Sequence, residues 1–141
     1  MFIERNLKNK DQQQALLLVH NPYFQTALQY STNNYDTTTF DRVKEIYVSF
    51  FEREEIQEIL TNFNKSWYSF LYLTINKSSI EMCENVSAFL LDIFSDQKQK
   101  LIELLNYSVS GRTMFDHIRA RGFLVQDKVD IFLKLNATLH N

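Results

Sequence analysis

The sequence predicts an all-α fold of antiparallel helical hairpins, arranged either as a short stack or as a compact helical bundle. Two glycines and one proline in 141 residues leave little material for the turns that a β-sandwich or barrel needs about every 8–12 residues. The hydrophobic fraction of 45% is enough for one buried core. Where the apolar residues recur, they do so with helical period. We read residues 1–141 as a single helical domain, with N-terminal helices in 1–30 and the main array in 40–141.

In chain order, "DQQQALLLVH" forms a first short helix. A second begins at Asn21–Pro22, because proline without its N–H suits the first helical position behind an Asn cap. Residues 31–39, "STNNYDTTT", read as a polar loop, and Asp41 follows as an N-cap. Val43, Ile46, Tyr47 and Phe50 then repeat at i, i+3, i+4, i+7, continued by Ile56, Ile59, Leu60 and Phe63. Whether "FEREE" breaks this into two helices is left open. The aromatic and β-branched stretch "SWYSFLYLTI" favours strand by propensity, but its helical neighbours lead us to assign helix. Val86, Phe89, Leu90 and Ile93 trace one face, Leu101, Ile102, Leu104 and Leu105 another, and Ser95 or Asp96 caps the second helix of that hairpin.

Charge narrows the function classes. The formal net charge is −2, with 15 basic and 17 acidic residues scattered along the chain, so there is no footprint of a nucleic-acid binder. The run "ALLLV" is too short to span a bilayer, which argues against membrane insertion, and the charged start lacks the apolar core of a secretory leader. A single cysteine, Cys83, cannot pair within the chain, and a free thiol is at home in a reducing compartment. The expectation is a cytoplasmic protein, in its own cell or in a host's.

Both glycines fall in "SGRTMFDHIRARGF", at Gly111 and Gly122. Gly111 with Ser110 sets a turn, Thr113 caps a helix, and Gly122 ends it in a left-handed residue. Met114, Phe115 and Ile118 give this short helix an apolar stripe, and "VQDKVDIFLKLNATL" supplies a second helix through Val125, Val129, Phe132 and Leu139.

Turn, short helix closed by glycine, then a second helix: residues 86–135 in this layout resemble the ankyrin repeat. The match rests on Gly111, Thr113, Phe115 in the leucine place, Asp116 and Gly122. Upstream, "VSAFLLDIFSDQKQKLIELLN" is similar to a degenerate preceding unit, with Ser87 for the threonine and Asp96 for the closing glycine. The sequence departs from the family at Met114, where the repeat has proline, at Ile118, where it has a small alanine, and in period. Ser87 to Thr113 is 26 residues, against a repeat of about 33. The resemblance implies stacked hairpins that present their turns and inner-helix faces to another protein. The partner surface would then include Arg112, Met114, His117 and Arg121.

Motifs that carry chemistry are missing from the sequence. None of His20, His117 and His140 has a ligand-type residue at i+3 or i+4 as in H-E-x-x-H, so neither a metal nor a cofactor is expected. The chain has no G-x-S-x-G elbow and no glycine-rich phosphate loop. Cys83 sits between Glu81 and Glu84, and negative neighbours raise rather than lower a thiol's pKa; we read it as a small core residue. No catalytic residue is assigned, and the chain is not expected to be an enzyme.

Aromatic residues make up 14% of the chain, and exposed Trp and Tyr serve well as interface anchors. Trp67 and Tyr68, beside Lys65, are the candidates, although the same rings also suit a core. The function expected is a protein-interaction module for another protein, of the kind bacterial and viral proteins use inside host cells. The alternatives are a structural subunit that self-associates as a homo-oligomer, and a small enzyme whose site assembles between helices with His20 or His117 as base.

Overall fold

The computed structural model describes residues 9–22, 25–63, 68–121 and 125–140. Among these the fold is all-α. Nine helices run in the order α1 (Lys10–Leu17), α2 (Ala27–Tyr30), α3 (Thr37–Phe50), α4 (Arg53–Thr61), α5 (Phe70–Lys77), α6 (Ile80–Ile93), α7 (Lys98–Asn106), α8 (Met114–Arg121) and α9 (Gln126–Leu139). Between α7 and α8 sit two strands of two residues each, β1 (Ser108–Val109) and β2 (Arg112–Thr113), paired antiparallel with Val109 opposite Arg112.

The centre of the fold is α6, which touches α3, α4, α5 and α9. Its sequence explains the position: Met82, Cys83, Val86, Phe89, Leu90 and Ile93 are all buried, so apolar side chains cover much more than the stripe of a surface helix. Packed on it, α9 buries Val129, Phe132, Leu135 and Leu139 and also touches α7. One continuous core links Leu17 near the start to Leu139 near the end.

The faces read from periodicity are inside. Ile56, Ile59, Leu60 and Phe63 are buried, as are Met114, Phe115 and Ile118. In α3 only Phe40 and Tyr47 are fully buried, while Val43, Ile46 and Phe50 pack against the edge of the core. The stretch of mixed propensity is helical over Phe70–Lys77, and it buries Phe70, Leu71, Tyr72 and Ile75 where it packs beside α6.

Helix starts are where sequence and structure differ. The cap of α3 is Asp36, not Asp41: its carboxylate accepts from the backbone N–H groups of Thr38 and Thr39, so the loop expected over 31–39 is already helical from Thr37. These hydrogen bonds, led by the Thr39 hydroxyl, hold the Asp36 carboxyl below its usual range. Proline at position 22 does not open the described helix either. That helix begins at Ala27, where Thr26 and Gln29 form a reciprocal capping box. The open question at "FEREE" resolves as a break, with Phe51 extended and Glu52 and Glu55 making the capping box of α4.

Neither Ser95 nor Asp96 caps α7, whose N-cap is Gln97. Both are taken by α4 instead. Arg53 donates to the Ser95 hydroxyl (3.0 Å), and the Gln57 amide donates to Asp96 Oδ1 (2.9 Å). The same two side chains also close the C-terminal end of α6: Arg53 donates to the carbonyls of Asp92 and Ile93, and Gln57 to that of Ile93 at 2.8 Å. Helix C-termini end in carbonyls without intrahelical partners, and α4 supplies the donors that a glycine cap would otherwise help provide.

Cys83 is fully buried. Burial pushes its thiol up from the ordinary value, against smaller opposite effects of the Ser78 hydroxyl and Lys128. Iodoacetamide at about pH 8, near the free thiol's ordinary pKa of ~8.5, should therefore label the native chain slowly and the urea-unfolded chain at once. Equal rates would show that the site is open. Because the folded state holds the proton more tightly, the thiol's contribution to stability is intact below its unfolded pKa and is lost as pH rises above it.

Candidate functional site

The two-residue loop of the β-hairpin is Ser110–Gly111, with φ of 53° and 79°. Positive φ at both central residues is the signature of a type I′ turn, whose twist matches that of paired strands. Glycine takes it without strain and serine tolerates it with some, so this pair fixes the hairpin. β2 leads directly into α8. There the Thr113 N–H donates to Asp116 Oδ2 (3.3 Å) and the Asp116 N–H to Thr113 Oγ1 (3.2 Å), a reciprocal cap that sets the direction of the helix. α8 runs to Arg121; Gly122, the expected stop, lies outside the described residues.

The hairpin is anchored to the start of α5. Tyr68 Oη donates to the backbone carbonyl of Arg112 at 3.1 Å. The Tyr68 ring stacks on Tyr72, one turn later, with centroids 5.5 Å apart, and His117 of α8 closes the group at 5.5 Å from each. From the last turn of α8, Arg121 Nη1 donates to Tyr72 Oη at 3.2 Å. Positions 117 and 121 are four apart and share a helix face, which brings imidazole and guanidinium to the same pair of rings.

Beside this cluster an open cleft of about 440 Å³ lies between α5 and α8, lined by Tyr72, Leu73, Asn76, Lys77, Ile118, Arg121 and Val125. Leu73, Ile118 and Val125 supply apolar wall. Lys77 and Arg121 supply two cations, both exposed, and among the described residues no carboxylate lines the cleft. Lysine and arginine carry only donors, and a guanidinium presents them as a planar fork that fits a carboxylate.

Four of the six residues expected to meet a partner, Tyr68, Arg112, His117 and Arg121, therefore come together. Arg112 and Arg121 are exposed and His117 is half-buried. Tyr68, a candidate anchor whose ring also suits a core, is 7% exposed and acts as the post on which the hairpin rests. Met114 is 2% exposed: the first turn of α8 points it into the core, so its side chain is not on the surface. Trp67 lies outside the described residues. Sequence reading missed Tyr72, Asn76 and Lys77. Tyr68, Tyr72 and Asn76 recur every four residues, a helical signal hidden by the strand propensity of the stretch.

The remaining histidines stand elsewhere. His20 lines a separate cleft of about 310 Å³ with Glu55 and Glu58, and His140 is the residue after α9. Among the described residues, no three His, Cys, Asp or Glu side chains are placed to hold a metal ion. No described helix is long and apolar enough to cross a membrane. No family model, curated protein or solved structure matches the chain.

Proposed function

We propose that the chain is a protein-interaction module whose cleft between α5 and α8 receives a partner segment carrying a carboxylate beside an apolar side chain. The observation that carries this reading is the lining of the cleft: two exposed cations over apolar walls, with no acid among the described residues, next to the packed Tyr68–Tyr72–His117 cluster. Rigid aromatic surroundings lower the cost of ordering a binding site. A charged rim sets orientation and partner choice more than raw affinity.

The reading also accommodates the resemblance to ankyrin repeats. The resemblance implies that the turn at Ser110–Gly111 and the short helix after it face the partner, and Arg112 and Arg121 on these elements are exposed. The single buried thiol supports an intracellular setting, where it would stay reduced.

The test uses two fluorescent peptides, one of Leu and Glu and one of Leu and Gln, titrated into the full chain and into Lys77→Glu/Arg121→Glu. The Glu peptide should bind the native chain tightly enough to saturate, and the double variant should weaken it about tenfold or more, equivalent to ~1.4 kcal/mol. Circular dichroism should not change, since both side chains are exposed. Equal binding of the Gln peptide, or indifference to the charge reversal, would remove the cleft as the site.

A further inference from the structure

We infer that the surface formed by α3, α6 and α9 is a second docking site, one that seats a basic amphipathic helix of a partner protein. Although α6 is the central helix, it keeps one exposed stripe, Glu84, Ala88, Leu91 and Asp92. These positions follow the four- and three-residue spacing of a helix face. A cleft flanks the stripe on either side. The one towards α3 measures about 590 Å³ and is lined by Val48, Ala88 and Phe89 among others; the one towards α9 measures about 340 Å³ and is lined by Ala88, Leu91, Ile131 and Leu135 among others. Ala88 lines both, so the two clefts meet at the smallest side chain of the stripe. Val48 is 53% exposed and Leu91 41%.

The shape fits a helix. Ridges of one helix settle into the grooves between the ridges of others, and the small alanine lets an incoming backbone come close. Strand addition would need an exposed sheet edge, and none of these three elements is a strand.

Charge selects the partner. Asp41, Glu45 and Asp92 line the α3 side and Glu84 the α9 side, against Lys44 and Lys134. Lys44 is turned inward over the Phe40 and Phe89 rings, at 5.3 and 5.8 Å from their centroids, with Nζ 3.4 Å from Asp41. Lys44 and Asp41 thus largely neutralise each other, and Glu45, Asp92 and Glu84 against Lys134 leave the rim acidic. Such a rim attracts a helix flanked by Lys or Arg and repels nucleic-acid phosphates and anionic lipid headgroups alike. The site is separate from the cationic cleft beside α8, which asks for the opposite charge.

The experiment titrates the full chain with a fluorescent Leu/Lys peptide of about 18 residues, whose helix would span about 27 Å. A Leu/Gln peptide of the same pattern, which neither site's charge selects, is the control. Glu45→Lys/Asp92→Lys and, separately, Leu91→Ser should each weaken Leu/Lys binding about tenfold or more, and added salt should weaken it in the native chain. Lys77→Gln/Arg121→Gln, which removes the cations of the other cleft without adding acids, should leave it unchanged, which separates failure of this site from failure of the cleft. Equal binding of the Leu/Gln peptide, or no effect of the charge reversal, would overturn the assignment. So would a concentration-dependent dimer that Leu91→Ser abolishes, because the occupant would then be a second copy of the chain.

Discussion

Replacing Phe132 with alanine should lower the stability of the chain by about 3–5 kcal/mol, a large share of the ~5–15 kcal/mol typical of a folded domain. Phe132 is fully buried on α9, the helix that packs on both α6 and α7. Truncation removes the ring's transfer free energy and leaves a cavity that the three helices can close only by shifting towards one another. Urea unfolding followed by circular dichroism should show a lower midpoint with an unchanged slope. Phe132→Leu keeps most of the volume and should cost less, about 1–1.5 kcal/mol. Leu91→Ala, on the open stripe of α6, should fall within about 0.5 kcal/mol of the native chain. A loss below ~1 kcal/mol for Phe132→Ala would mean that α9 does not close the core.

That ranking follows from burial, and burial was largely readable from the residues. Periodicity found the inward faces of α4, α6, α7 and α9 because a helix that must hide one side repeats its apolar residues with a fixed spacing. The scarcity of glycine and proline was enough to set the fold class. Starts of helices were less legible. Asp36 and Asp41 both precede helix-compatible sequence, and Thr37–Thr39 read as polar linker; the choice fell to Asp36, whose carboxylate meets two backbone donors at once.

Contacts between elements far apart in sequence were not legible at all. Ser95 and Asp96 look like caps for the helix that follows them. They are engaged instead by Arg53 and Gln57, about forty residues earlier, and local sequence carries no trace of that pairing. The candidate site shows the same division. The turn at Gly111 and the Thr113 cap are local, so they could be read. That Tyr72 of α5 would meet both His117 and Arg121 of α8 depends on how α5 and α8 dock.

Gln57 gives the second large effect, and its cause can be separated from simple loss of volume. The side chain is 1% exposed, and its amide N–H groups serve the Ile93 carbonyl and the Asp96 carboxylate together. Gln57→Leu keeps similar volume but removes the donor to Asp96 and leaves the Ile93 carbonyl to the longer bond from Arg53 alone, a loss of about 1–3 kcal/mol. Gln57→Glu should cost more, because at neutral pH it sets a buried carboxylate against a carbonyl oxygen and the carboxylate of Asp96. The variant glutamate would be held above its unfolded pKa of ~4.3 by burial and by Asp96. Its protonated form is then the one the fold tolerates, so stability is regained as pH falls towards that value and lost as pH rises through the raised pKa. Urea midpoints of native chain, Gln57→Leu and Gln57→Glu between about pH 4 and 7 should therefore converge for the two variants at the acid end. If Gln57→Glu tracked Gln57→Leu at every pH, the residue would be open to solvent, and α4 would not close the end of α6 in the way these hydrogen bonds require.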